Sequence, residues 1–133
     1  MAGITDLQRL IREMRPHLDE KEYVFCCIKK TQAGERITDT FATVMEEEGM
    51  TLILEKQRAQ EAKFAYEGIF HKITLKVHSS LEAVGLTAAF ATALAQHDIS
   101  ANVIAGFYHD HIFVPIAHSS QAMTILQAMT KSD

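Results

Sequence analysis

After the last helix-forming stretch of the second half only Thr130–Asp133 remain, so the alternating pattern there lacks a closing strand. Ile73, Leu75 and Val77 alternate with Thr74, Lys76 and His78, the period of a half-buried strand. Ser79 and Glu82 have the S-x-x-E spacing of a capping box, and Leu86, Phe90, Ala93 and Leu94 continue at helical spacing to Gln96. Asn102–Phe107 and Ile112–Ile116 are β-prone, and the polar His109, Asp110 and His111 between them read as a hairpin turn. Ser119 then caps a helix whose apolar residues are Ala122, Ile125, Leu126 and Met129. The order βαββα is that of a ferredoxin-like split βαβ unit, an α+β fold with helices on one face of an antiparallel sheet. Its last strand must come from elsewhere.

The first half has the complementary gap. Ile4, Leu7, Leu10, Ile11 and Met14 fall at helical spacing, and Pro16 stops the run, so residues 1–16 read as an N-terminal helix. Tyr23–Ile28 reads as a strand, and the polar stretch around Gly34 as a loop where a crossover helix belongs. Thr43–Glu48 and Thr51–Glu55 form two strands turning at Gly49, and Gln57–Lys63 is helix-prone. The string EEEGMTLILEKQRAQEA parallels HDHIFVPIAHSSQAMTI, which suggests a truncated half over 22–70 and a fuller half over 71–133. Neither closes its own unit, so the halves are expected to share strands, with Ile69–Val77 as the bridge. A single irregular α+β sandwich is the other arrangement this weak repeat allows.

Composition narrows the function. At 133 residues the chain is one domain's length and needs no disulfide or metal to fold. Its 13 Lys and Arg stand against 17 Asp and Glu, and no stretch gathers more than two adjacent basic residues, which argues against nucleic acid as a partner. The longest apolar run, Tyr23–Ile28, is six residues, far short of the roughly 20 of a membrane helix. The N-terminus lacks the apolar core of a signal peptide, so the expected compartment is the cytoplasm. Cys26 and Cys27 are neighbours on a strand, point to opposite faces, and read as packing residues with no mutual disulfide.

Two strings carry a family resemblance: VHSSLEAVGLTAAFATALAQHDISANVIAGFYHDHIFVP and, in the first half, MEEEGMTLILE. They resemble the ACT domain, and specifically small stand-alone tandem ACT-like proteins similar to the arginine-sensor ACT proteins of animals. The resemblance spans Tyr23 to Met129 and implies a non-catalytic regulatory module that binds a small molecule, an amino acid first of all. It implies no cofactor and association as a homodimer or higher homo-oligomer. Carried over by position, Ser79, Ser80, Val84, Gly85 and Leu86 would form the ligand turn and helix start. Asn102, Val103 and Ile104 would line the adjacent strand, and Asp110 would be the acidic contact.

Elementary chemistry gives each of these a second role. An amino-acid site needs a carboxylate pocket, which a helix N-terminus approached over a glycine supplies, and an acidic partner for the ammonium. Ser79 could instead simply cap the helix with Glu82, and Gly85 could serve close packing. Asn102, among apolar neighbours, reads as an inward amide satisfied either by ligand or by an internal hydrogen bond. Asp110 could stabilise a hairpin tip. The run Glu46, Glu47 and Glu48 reads as a solvated edge.

A rival class is a metal site: His109 and His111 are two residues apart, with His78 or His118 as a third nitrogen ligand. No HExxH or CxxC accompanies them, nor a nucleophile elbow or phosphate loop, so catalytic and metal residues are expected to be none. A purely structural homo-oligomeric module is the remaining alternative.

Overall fold

The computed structural model describes residues 3–32 and 39–131 and divides into two compact units. The first comprises residues up to Glu20 together with His71 onward; the second is Lys21–Phe70. One strand, β1 (Pro16–Ile28), has residues in both, so the shared strand is this one and not the expected bridge at Ile69–Val77, which from His71 onward belongs to the first unit.

In the first unit α1 (Leu7–Arg12) precedes β1. The helix begins at Leu7, not Ile4, because Asp6 caps it by accepting the Arg9 N–H at 3.1 Å. Ile4 is thereby released to form a parallel bridge with Ser79. The helix stops at Arg12, short of Met14 and of the expected stop at Pro16, which instead opens β1. Then come β4 (Phe70–Leu75), α3 (Leu86–Ala95), β5 (Asn102–Ala105), β6 (Asp110–Pro115) and α4 (Ser119–Thr130).

The strand order in this unit is β1-β4-β6-β5, with β5 and β6 antiparallel. The start of β1, coming from the N-terminal side, takes the position of the strand that the βαββα order lacks. The three helices pack on one face, where Ile73, Leu75, Ile112 and Val114 meet Leu10, Met14, Phe90, Leu94 and Leu126 in one buried core.

The second unit holds β2 (Ala42–Met45), β3 (Met50–Glu55) and α2 (Lys56–Ala62), in the order β2-β3-β1 with both pairings antiparallel. Even-numbered β1 residues Val24, Cys26 and Ile28 pack with Leu52, Leu54 and Ala59 into a separate core. Cys26 is buried and Cys27 exposed, both as free thiols. Lys30–Gln32 forms one 3-10 turn; the loop expected around Gly34 falls among residues 33–38, outside the described residues.

Three local expectations are corrected. The helix expected from Ser79 begins only at Leu86. The hairpin turn is Gly106–His109, so Asp110 and His111 lie inside β6, with Asp110 opposite Ala105. Ser119 is the first residue of α4 and does not cap it: its hydroxyl donates to the Ile116 carbonyl at 3.1 Å and lies 2.8 Å from His71 Nδ1.

Candidate functional site

Two segments of the first unit enclose a cavity of about 150 Å³: the loop and helix start from Ser79 to Thr87, and the β5–β6 turn from Ala105 to Asp110. The N-terminal segment holds the first of them in place. Ile4 N–H donates to the His78 carbonyl at 2.8 Å, and Ser80 N–H donates back to the Ile4 carbonyl at 3.1 Å. The approach is close enough that a β-carbon on Gly3 would lie 2.5 Å from Ser80 N, so only glycine fits there.

Past that clamp the chain turns before it becomes helical. Ser80 Oγ accepts the Glu82 N–H at 3.1 Å, and the Ser80 carbonyl accepts from Ala83 at 3.0 Å. The serine hydroxyl thus serves a local turn, and no capping box forms. Gly85 then adopts φ +104°, a backbone conformation that side-chain-bearing residues rarely hold. It stands at the N-cap position of α3, and no side chain caps the helix there. The first-turn N–H groups of a helix have no intrahelical partner and carry the positive end of its dipole. Leu86 and Thr87, in that first turn, line the cavity.

The opposite wall is a tight turn. Gly106 N–H donates to the His109 carbonyl at 2.9 Å, and a β-carbon on Gly106 would lie 2.8 Å from that oxygen. His109 Nδ1 donates to the Val77 carbonyl at 3.4 Å, tying the turn to the segment after β4. Asp110 is half-buried; loss of water raises its carboxyl pKa, and nearby His109 pulls it partly back.

Around the cavity stand Leu81, Val84, Phe107 and Tyr108, exposed by 65%, 82%, 64% and 61%. The two aromatics meet edge to face at 5.1 Å, and the His78 ring lies 5.0 Å from Tyr108.

Of the residues singled out in the sequence, Ser79, Ser80, Gly85, Leu86 and Asp110 come together around this cavity. Val84 stands outside it, pointing into solvent, although both its neighbours in the wall, Ala83 and Gly85, line it. Asn102, Val103 and Ile104 lie on β5 and do not line it. The Asn102 amide, expected inward, is exposed, and its nitrogen donates to the Phe113 carbonyl at 3.4 Å across the hairpin.

Thr87 and His109 also line the cavity. Thr87 becomes visible in the sequence only once the helix start is moved to Gly85.

His111 is separated from His109 by its own environment: its Nδ1 lies 2.8 Å from Thr74 Oγ1, and burial, with Lys72, His109 and Lys76 adding to it, lowers its pKa to about 4. Among the described residues no three His, Cys, Asp or Glu side chains gather in a metal-binding group. Nor, among them, is any helix long and apolar enough to cross a membrane.

Known proteins place this architecture. The chain is 48% identical to a Vibrio cholerae protein of unknown function, described as a possible transport protein, over 97% of this chain and 99% of that one, with a TM-score of 0.84. The fold also matches protein Atu0741 of Agrobacterium tumefaciens at 12% identity, covering 86% and 87% of the two chains with a TM-score of 0.72. The ligand-free regulatory subunit of aspartate kinase from Thermus thermophilus matches at 12% identity, 86% and 95% coverage and a TM-score of 0.61. No curated protein matches. Two ACT-domain family models match in succession, over residues 2–71 and 70–128, meeting where the second compact unit ends. The chain belongs to the ACT-domain family, as a tandem pair of ACT domains.

Proposed function

We propose that this tandem ACT protein is a regulatory module, not a catalyst, and that its ligand is an amino acid held in the cavity between Ser79–Thr87 and Ala105–Asp110. One observation carries the reading: the uncapped first turn of α3 and the half-buried carboxylate of Asp110 line the same cavity. The first attracts an α-carboxylate, whose charge is stabilised at a helix N-terminus by about 0.3–1 kcal/mol, more when partly buried. The second attracts an ammonium, and a desolvated carboxylate has the most to gain from such a partner. Ser79, Ser80 and Thr87 hydroxyls add orientation. The regulatory subunit of aspartate kinase shares the fold and supports a regulatory role.

The reading includes a cytoplasmic location and a homodimer; among the described residues β2 and β5 end their units' strand orders and leave edges for pairing. In it the 71–133 half carries the ligand site.

A thermal-shift screen against the twenty amino acids tests the proposal, since a ligand at 100 times its dissociation constant adds about 2.7 kcal/mol. Titration calorimetry of Asp110→Asn follows: loss of one charge-assisted bond of roughly 1.5–3 kcal/mol weakens binding about ten- to a hundredfold. Equal affinity in the variant, or no stabilisation by any amino acid, refutes it.

A further inference from the structure

We infer that the bound amino acid carries an uncharged, apolar side chain, aliphatic or aromatic, that leaves the cavity over the rim formed by Leu81, Val84, Phe107 and Tyr108. The inference rests on the amino-acid reading above and narrows it to one class of ligand.

Charge matching comes first. Among the described residues, the cavity wall contains one carboxylate, Asp110, and no lysine or arginine. An α-amino acid uses Asp110 for its ammonium and the start of α3 for its carboxylate, which leaves no charged group for a third charge. A basic side chain would need a second carboxylate, yet Glu82 is exposed and does not line the cavity. An acidic side chain would meet only His109, whose Nδ1–H is directed to the Val77 carbonyl. Either would find no charged partner at the site, and laid across the apolar rim it would lose part of its hydration for no compensating bond.

Size comes second. A cavity of about 150 Å³ is well below the roughly 300–1,000 Å³ of pockets that enclose drug-sized ligands. It has room for the head group, and a larger side chain must emerge from it.

The surface it would emerge onto is apolar. Among the described residues six large hydrophobics are exposed, and four of them belong to the two segments that make this cavity; the others, Val44 and Met45, are on β2. Phe107, Tyr108 and the His78 ring form a mutually packed cluster. Exposed apolar surface gathered around a polar socket gains most from an apolar ligand group laid across it.

The test is titration calorimetry with glycine, L-leucine, L-phenylalanine, L-arginine and L-aspartate. The proteins are the wild type, Asp110→Asn and the double variant Val84→Ser/Phe107→Ser, whose exposed positions leave the melting temperature near that of the wild type. Leucine or phenylalanine should bind about ten- to a hundredfold tighter than glycine, the gain expected from covering one such side chain. Arginine and aspartate should bind more weakly than either. In the rim variant the leucine-to-glycine ratio should collapse toward one.

A charged amino acid as the tightest ligand, glycine equal to leucine, or an unchanged ratio in the rim variant overturns this inference. All three leave the amino-acid reading standing so long as Asp110→Asn weakens binding. If none of the five produces heat of binding, this inference falls; if none of the twenty amino acids stabilises the protein, the amino-acid reading falls with it.

Discussion

Replacing Gly85 by alanine isolates what the turn before α3 costs. At φ +104° and ψ −20° the backbone lies in a region that a residue with a β-carbon occupies only under strain of about 1–3 kcal/mol. A second effect is steric, since the new β-carbon would sit 3.0 Å from Leu7 Cδ2. That atom is the tip of a flexible side chain and can retreat, so backbone strain dominates. The expected loss is therefore about 1–3 kcal/mol, or roughly 4 °C of melting temperature per kcal/mol for a chain of this size.

A double-mutant cycle separates the two causes. With Leu7→Ala as the second change, a backbone origin predicts a coupling energy below about 0.5 kcal/mol in urea denaturation. Gly85→Ala should also weaken ligand binding, because relaxing the strain moves the first turn of α3. A loss under about 0.5 kcal/mol, or full recovery in the Leu7→Ala background, refutes the argument that this glycine is required by its φ.

Other outcomes follow from burial and charge. His111 titrates near pH 4 when folded against an ordinary value of 6.5, so between these the unfolded chain binds more protons and stability falls as pH drops through that window. His111→Gln should flatten the wild-type slope in urea melts at pH 7 and 4.5. The carboxyl of Asp110 is raised, so it weakens the fold above that pKa and ceases to do so below its ordinary 3.8; Asp110→Asn should melt higher than wild type at pH 7 but not at pH 3. Phe90→Ala, emptying a fully buried site in the first unit, should cost about 3–5 kcal/mol in chemical denaturation. A peptide of residues 71–133 alone should show no cooperative melt, for lack of Leu10, Met14 and the opening of β1; a cooperative transition would deny that the strand is shared. Cys27 should react with a thiol reagent in the native protein and Cys26 only on unfolding, because Cys26 is buried and its thiol pKa raised by that burial.

The α+β class, the order of elements in the second half and the absent closing strand were legible because they rest on periodicity over six to twelve residues. The start of α3 was not. Ser79 and Glu82 have the spacing of a capping box, but Ser79 is held by its bridge to Ile4, a pairing across more than seventy positions that no local pattern encodes. The hairpin misled in the opposite way: polarity pointed to His109–His111 as its tip, whereas Gly106 sets the turn and the exposed residues there are Phe107 and Tyr108.

Thr74 alternates as an outward residue yet is buried against His111, whose ring satisfies its hydroxyl. Five of the nine residues suggested by the family resemblance line one cavity, and Val84 and the three on β5 do not. Strand residues were assigned by position in the family pattern, while their inward or outward sense depends on register, which a single residue of offset reverses.

The double membership of β1 imposes an order of events when the chain is made. Residues 21–70 are contiguous, so the second unit can close as soon as they have left the ribosome. The first unit cannot: Leu10, Met14 and the opening of β1 are synthesised early, but their partners on α3, β6 and α4 arrive last. At about 5–20 residues per second, translating the final sixty or so residues takes roughly 3–12 s. During that interval an apolar helix face and an unpaired strand are open to other chains. Closing a loop across the intervening residues adds little entropy, since that cost grows only with the logarithm of length. The penalty of the arrangement is one of timing. Crowded synthesis at high temperature should therefore reduce soluble yield more than equilibrium stability would suggest, and slowing initiation should recover it.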